Sequence, residues 1–382
     1  MIQKLKSTLL AAALVALATP LVMFAQSNGA GAASQSTASP HEGQTAGQRF
    51  KNLQVLNNVP ADQISPAMQF ITASLGVECE FCHVRGAFDK DDKEEKKTAR
   101  KMMTMMFAID KDNFNGRQEV SCYTCHKGTN DPVSTPVISD TEPKPEAEEA
   151  SAAKPALPNA GEILDKYVQA IGGAEAMHKI TTRVEKGTLT GFGPSGMPVQ
   201  VFAKAPDARV TLVQTPRGQS VTAYNGQTGW MSGAGPSRPI TGGELDNEKR
   251  NADFYFGADI KTQFEQIRVA REDKVGDHDA YVLVARSPGH MPVRFYFDKD
   301  SGLLLRELRL VETPLGRNPS QVDYADYREA DGVKIPYQWT IARPGGRFTI
   351  KITDVQQNVP IDDSKFAAPQ PSSGADAKPG TR

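Results

Sequence analysis

The chain has 382 residues and a formal net charge of −1, with 39% hydrophobic and 23% charged residues. This length predicts about two or three domains. The balanced charge argues against a nucleic-acid-binding protein, for which an excess of basic residues is expected. All four cysteines, Cys79, Cys82, Cys122 and Cys125, lie in two short motifs, so we expect no structural disulfide.

The N-terminal segment, residues 1–25, reads MIQKLKSTLLAAALVALATPLVMFA. Two lysines followed by an apolar stretch predict a secretory signal and therefore a periplasmic protein. The alternative is an uncleaved membrane anchor, because the apolar run continues to Ala25, although Pro20 interrupts it. Residues 26–47 are rich in Gly, Ala and Ser, and we predict that they are disordered.

A compact, mainly helical domain is predicted for residues 48–128. Its first long helix is expected to be capped by Ser65, with Pro66 at its first position, and to end at Gly76. The helical period places four residues on one face of this helix: Met68, Ile71, Thr72 and Leu75.

Two C-x-x-C-H motifs, Cys79–His83 and Cys122–His126, carry the chemistry of this domain. A C-x-x-C pair can be a redox dithiol, half of a zinc site or a haem attachment site, and the histidine that follows favours haem. In c-type haems the thiols add to the vinyl groups and the imidazole binds the iron. We therefore predict two covalent haem c groups, held by Cys79, Cys82, Cys122 and Cys125 with His83 and His126 as axial ligands.

Methionine is the expected sixth ligand, because residues 49–128 contain no other histidine. Met68 is the only methionine in this domain before the first motif, and it is the predicted ligand there. The helix EEKKTARKMMTMMFAID precedes the second motif. Met102 belongs to both apolar stripes of this helix, so we expect it to face the interior and predict it as the second ligand, with Met105 as the alternative. These methionines can also simply fill the core.

Residues 129–159 are rich in Pro, Ala and Glu and predict a linker. In residues 160–368 an opening helix, terminated by Gly172-Gly173, is followed by segments of alternating pattern that predict strands, with hairpin turns at Asn225-Gly226 and Ser301-Gly302. The predicted fold of this second domain is α+β, with one curved antiparallel sheet or partial barrel. Residues 369–382 are predicted to form a disordered tail.

The opening helix of the second domain has an apolar face, which consists of Ile163, Leu164, Tyr167, Val168 and Ile171.

The segments VLNNVPADQISPAMQFITASLGVECEFCHV, KTARKMMTMMFAID and VSCYTCHKG resemble the cytochrome subunit of photosynthetic reaction centres, and more closely its shorter two-haem relatives. In that family each unit is a helix that carries a Met ligand, a turn and a C-x-x-C-H motif. The resemblance implies Met68 with His83 at the first haem and Met102 with His126 at the second. The full subunit carries four haems, whereas this chain has attachment motifs for two.

The second domain, with the phrases AYNGQTGW and FYFDKDSGLLLREL, resembles the half-barrel of periplasmic lipoprotein-sorting carriers. That resemblance implies an apolar concavity for a lipid or acyl chain. The alternative is a scaffold that docks a partner.

Together these features predict a multidomain periplasmic protein, in which a dihaem cytochrome c domain precedes a half-barrel-like domain. Two Met/His-ligated haems leave no open iron site, which favours electron transfer over catalysis. The expected partners are redox proteins of the periplasm or inner membrane. A dihaem peroxidase with one open haem is the enzymatic alternative. A lipid- or lipoprotein-binding protein with a redox-sensing haem module is the third possibility.

Overall fold

The computed structural model describes residues 43–135 and 157–368, except 192, 194 and 234–236. These described residues belong to one compact unit. The predicted signal segment, most of the two predicted disordered segments and residues 136–156 of the predicted linker lie outside the described residues. Within the described ranges, no helix has the length and apolar character needed to cross a membrane. The division of the compact unit into separate domains stays a prediction.

The described residues 43–135 are mainly helical. They contain a short 3-10 turn, Ala61–Gln63, and five helices: α1 (Ala46–Arg49), α2 (Ile64–Leu75), α3 (Cys79–Cys82), α4 (Glu94–Phe114) and α5 (Cys122–His126).

Helix α2 ends where the sequence predicts, at Gly76, which adopts a left-handed conformation with φ of 66°. Its start differs from the prediction. The helix begins at Ile64, because the 3-10 turn before it leads directly into the first α-helical turn. Ser65 is therefore inside the helix and is not its cap.

The end of the segment predicted to be disordered is ordered. Ala46 begins α1, is fully buried and donates its backbone N–H to the carbonyl oxygen of Val59 at 2.7 Å. Composition does not reveal this contact, because its partner is contributed by a later part of the chain. The ordered region thus starts before residue 48.

A single thirteen-stranded sheet dominates the described residues after 157, and every neighbouring pair is antiparallel. Its order is β6-β5-β4-β3-β2-β1-β13-β12-β11-β10-β9-β8-β7. The predicted antiparallel sheet is confirmed, and the two predicted turns join β4 to β5 and β9 to β10. The strands are β1 (Thr182–Thr190), β2 (Met197–Lys204), β3 (Ala208–Thr215), β4 (Gly218–Asn225), β5 (Gly229–Ser232), β6 (Arg238–Ile240), β7 (Gln266–Val275), β8 (His278–Arg286), β9 (Val293–Asp298), β10 (Leu304–Thr313), β11 (Gly316–Ala330), β12 (Val333–Arg343) and β13 (Gly346–Gln357).

Among the described residues after 157, four helices accompany the sheet: α6 (Ala160–Ala170), α7 (Ala174–His178), α8 (Gly242–Ala252) and α9 (Phe256–Asp259). The predicted apolar face of α6 packs into the main core of the sheet, where the rings of Tyr167 and Phe297 lie 5.1 Å apart. Adjacent residues of β2 point to opposite faces of the sheet. Phe202 packs on the face opposite to α6, against the 3-10 turn Asp363–Phe366. Both faces of the sheet are therefore covered in this region.

Candidate haem-binding site

The first motif occupies a single helical turn, α3. Cys79 and Cys82 are three residues apart on this turn, so their thiols lie on the same side of it. His83 follows in an extended conformation, with φ of −116° and ψ of 147°. Its Nδ1 lies 3.1 Å from the carbonyl oxygen of Phe88. Donation of Nδ1–H to that oxygen leaves Nε2 free to bind a metal, a common arrangement for histidine ligands.

A cavity of about 510 Å³ adjoins this motif. Cys79, Cys82 and His83 line it, together with Met68 from α2 and Met103 from α4. The structure therefore brings the predicted axial pair of the first haem, Met68 and His83, to one cavity. The volume lies in the usual range for cofactor and ligand sites, about 300–1,000 Å³. The residues present fit a haem at this position.

The same cavity also has a cationic rim. The side chains of Lys96 and Arg100 line it and are largely buried. Asp91 holds both of them, with its carboxylate oxygens 3.0 Å from Lys96 Nζ and 2.8 Å from Arg100 Nη1. Hydrogen bonds from Arg100 and Lys96 keep the pKa of Asp91 well below its usual value. Fixed cations of this kind suit the two carboxylates that a haem carries.

Protonation of the motif also bears on the alternatives. Burial lowers the pKa of His83, which favours the neutral imidazole that a metal requires. Burial raises the pKa of the Cys82 thiol, and likewise that of Cys122. Redox dithiols instead have a lowered thiol pKa, which neither of these two thiols shows. In the part of the chain that the structure describes, no cluster of three or more His, Cys, Asp and Glu side chains could hold a metal ion.

The second motif shares the histidine contact of the first motif, but its histidine lies inside the helix. Helix α5 begins after Ser121, which forms a capping box with Thr124, and it extends through the histidine of the motif. Nδ1 of His126 lies 3.1 Å from the carbonyl oxygen of Thr129. Both motif histidines therefore direct Nδ1 to a backbone carbonyl and leave Nε2 available. Thr129 belongs to the predicted linker, whose first residues thus pack on the second motif.

The methionines of α4 divide between two faces of the helix. Met103 and Met106 are buried, whereas Met102 is 38% and Met105 48% exposed. The expectation that Met102 faces the interior is wrong. Helix α4 packs through a different stripe of residues, which contains Lys96, Met103, Met106 and Asp110. Helix α4 contacts both α3 and α5. The role of Met102 or Met105 as the second ligand stays a prediction.

Sequence analysis missed three residues at the first cavity: Lys96, Arg100 and Met103. Lys96 and Arg100 lie in a charged stretch that is typical of a solvated helix start. Lys96 precedes Arg100 by four residues and Arg100 precedes Met103 by three, so all of them lie on one helical face. That periodicity was the available signal.

The end of α2 packs against the segment that follows the second motif. The backbone N–H of Gly128, just after the second motif, donates to the carbonyl oxygen of Ser74 at 2.9 Å. A Cβ atom on Gly76 would overlap the carbonyl oxygen of Gly128. This close backbone approach requires glycine, and it holds the end of α2 beside the second motif.

A second cavity, of about 490 Å³, lies beside the sheet. Its wall combines aromatic rings with charged side chains: Asp207, Asp246, Lys249, Arg250 and Asp253. Burial raises the pKa of Asp253. This wall is more polar than the predicted apolar concavity, and lipid binding by this part of the chain stays a prediction.

Comparison with known proteins gives matches for the motif-bearing region. Residues 13–164 match the family described as "Photosynthetic reaction centre cytochrome C subunit". The photosynthetic reaction center cytochrome c subunit of Thermochromatium tepidum is 30% identical over 90 residues, covering 22% of this chain and 22% of that protein. Cytochrome c-554 of Chloroflexus aurantiacus is 33% identical over 100 residues, covering 22% of this chain and 24% of that protein. The chain thus spans less than a quarter of the length of these relatives.

Solved structures resemble the later part of the chain. A LolA superfamily protein from Nitrosomonas europaea covers 56% of this chain and 99% of its own, with 17% identity and a TM-score of 0.37. A putative outer membrane lipoprotein-sorting protein domain from Vibrio parahaemolyticus covers 54% and 94%, with 10% identity and a TM-score of 0.38. For the region that carries both C-x-x-C-H motifs, the predicted resemblance is confirmed: it is similar to the photosynthetic reaction centre cytochrome C subunit family.

Proposed function

We propose that the protein is an exported dihaem c-type cytochrome that transfers single electrons between redox proteins. Each bound haem would supply a one-electron iron couple. The cysteines of each motif would hold one haem covalently, with His83 and His126 as the axial ligands. Met68 would complete the first haem site and Met102 the second, with Met105 as the alternative.

The observation that carries this proposal is the composition of the first cavity. Met68 comes from α2, Cys82 and His83 come from the motif that follows it, and the three side chains line one space of suitable volume. The bond from His83 to the Phe88 carbonyl orients the imidazole, and burial favours its neutral form. The thioether of Met68 would occupy the sixth position and exclude exogenous ligands from the iron. Similarity to cytochromes c supports the same conclusion.

The first experiment is a haem count and an absorption spectrum on protein matured with the c-type haem machinery. Pyridine haemochrome should give two haems per chain, and the weak Met–iron charge-transfer band should be present in the oxidised protein. A Cys79→Ser/Cys82→Ser variant and a Cys122→Ser/Cys125→Ser variant should each retain one haem. Protein without covalent haem would contradict the proposal.

The dihaem peroxidase is the competing enzymatic function, and it requires one open iron. A Met68→Ala change separates the two functions. An electron carrier should lose the high reduction potential of one haem, because replacing Met/His ligation lowers the potential. A peroxidase that uses this haem as its open site should be little affected. A high-spin component that shifts on addition of cyanide to the unmodified protein would favour the peroxidase.

The second ligand can be identified in the same way. Met102→Leu and Met105→Leu retain side-chain size and apolar character, and both positions are exposed in the polypeptide. Only the variant that removes the ligand should lose the Met–iron band of the second haem. Retention of that band in both variants would exclude both residues.

The partners in this proposal are redox proteins of the periplasm or inner membrane, together with a docking or apolar-ligand-binding role for the sheet. The charged wall of the second cavity favours a protein partner over an apolar ligand. Displacement of a fluorescent fatty acid from the full chain tests the latter. Saturable displacement would favour an apolar ligand over a protein partner.

A further inference from the structure

The hairpin between β10 and β11 leaves the sheet and enters the helical part of the chain. Leu315, at its tip, is fully buried in a cluster with residues of α2 and α4. Its neighbours there include Phe70 from α2 and Met103 from α4. An apolar side chain from a turn of the sheet therefore belongs to the same hydrophobic core as residues that line the first cavity.

Three separate contacts connect this hairpin to helix α2. Leu315 packs in the cluster just described. Gly316 lies against the ring of Phe70, so closely that a Cβ atom on Gly316 would overlap the ring. Asn318, which is buried, donates from Nδ2 to the carbonyl oxygen of Pro66 at 2.9 Å. The contacts with Pro66 and Phe70 lie on either side of Met68 in α2.

Two further contacts fix the same edge of the helical part. Gln118, in the loop before the second motif, donates from Nε2 to the carbonyl oxygen of Thr313 at 3.2 Å. Thr241 donates from Oγ1 to Asp62 at 2.6 Å, just before α2 begins. The helical part is thus attached to the sheet through buried and specific contacts in addition to the covalent connection.

We infer that the β10–β11 hairpin is the positioning element of the first haem site: it fixes the turn of α2 that carries Met68 and so determines the distance of the thioether from the iron. This inference rests on the proposed function. Leu315, Gly316 and Asn318 are not among the residues that line the cavity, and they act through α2 as positioning residues. A part of the chain that sequence analysis assigns to another domain would thus belong to the redox site.

The test is a Gly316→Ala variant of the full holoprotein, with Gly346→Ala as the matched control. Both glycines begin a strand after a hairpin turn and have similar φ values, 154° and 145°. A Cβ atom on Gly346 would meet nothing within 4 Å, so the control introduces the same backbone strain without the clash at Phe70. The readouts are the Met–iron band and the two reduction potentials.

We expect Gly316→Ala to remove about half of the Met–iron band, since one of two Met-ligated haems is affected. The same potential that shifts in Met68→Ala should shift here, and the other should not. The control should keep both potentials. Adding Phe70→Leu to Gly316→Ala should restore the band, because the smaller side chain makes room for the new methyl group.

Two outcomes separate this inference from the proposed function. If the unmodified protein shows no Met–iron band, the proposed ligation is wrong. If it shows the band and Gly316→Ala keeps the full band and both potentials, the positioning role is overturned. If Gly316→Ala fails to fold, Asn318→Ala takes its place, because it removes only the bond to the Pro66 carbonyl. Unchanged potentials in a folded Asn318→Ala variant would then overturn the inference.

Discussion

Asp110 offers the sharpest test of how the second motif is held. Its carboxylate is buried on α4, and Oδ1 accepts the backbone N–H groups of Glu119 at 3.1 Å and Val120 at 2.9 Å. These two residues form the end of the loop that leads into Ser121 and Cys122. One buried carboxylate therefore fixes the approach to the second motif, and Asp110→Ala removes both bonds at once.

The structure sets the magnitude of the loss. Hydrogen bonds to a charged group contribute about 1.5–3 kcal/mol each, and a buried N–H left without a partner costs about 1–3 kcal/mol. Val120 is half-buried, whereas Glu119 is exposed and water can replace its bond. We therefore expect Asp110→Ala to lower the free energy of unfolding by about 2–4 kcal/mol. Asp110→Asn keeps an acceptor oxygen and should cost about half as much.

The assay is urea unfolding of the holoprotein, followed by fluorescence, with hydrogen exchange at the amides of residues 119 and 120. Asp112→Ala is the control, because Asp112 lies on the same helix and is exposed. Its effect should stay within about 0.5 kcal/mol. The reasoning is refuted if Asp110→Ala matches this control in stability and leaves both amides equally protected.

Further predictions concern the first cavity and the contact of α2 with the segment after the second motif. The lowered pKa of Asp91 contributes stability that is present above the ordinary carboxyl pKa of about 3.9 and is lost as the pH falls from there toward the folded value. Asp91→Asn, which removes the charged partner of Arg100, should therefore weaken the acid dependence of unfolding, whereas Asp92→Asn should preserve it; identical acid titrations of the two variants would contradict this. Gly76→Ala should cost more than the about 1–2 kcal/mol expected for a left-handed alanine, because its methyl group would overlap a backbone carbonyl oxygen after the second motif. Gly116→Ala, with φ of 73° and open space around it, should show the conformational cost alone in thermal unfolding, and equal losses at the two glycines would disprove the overlap.

The comparison of sequence and structure is most informative at α4. The hydrophobic pattern predicts the helix correctly, but two neighbouring stripes of methionine share it. Met103 and Met106 are buried because they meet α2 and the tip of a hairpin more than 200 residues later in the chain. No property of the segment itself distinguishes these residues from Met102 and Met105. Which methionines of α4 are buried depends on the segment that packs against the helix, and part of that segment is distant in sequence.

The cationic rim has a similar origin. A run of residues with alternating charges is ordinarily exposed to solvent, so the sequence predicts that Lys96 is a surface residue. In the structure its aliphatic stem lies along the cavity, while its ammonium bonds Asp91 and two backbone carbonyl oxygens. Only the fold of the chain after the first motif brings those oxygens within reach.

Local chemistry by itself determined several features of this protein. The C-x-x-C-H spacing places two thiols and an imidazole close together along the chain, which is the pattern that predicts covalent haem attachment. The end of α2 follows from Gly76, which accepts a left-handed conformation at little cost. Strand turns follow from Asn225-Gly226 and Ser301-Gly302 for the same reason. These features depend on residues within one or two turns of each other.

The tertiary structure decided which distant surfaces meet. The contact of Leu315 and Gly316 with Phe70 joins the sheet to the helix that carries Met68. A leucine after a proline in a hairpin has no local property that indicates a buried position in another part of the protein. The free energy of that contact comes from shape and apolar burial between segments far apart in sequence, and local patterns do not encode it.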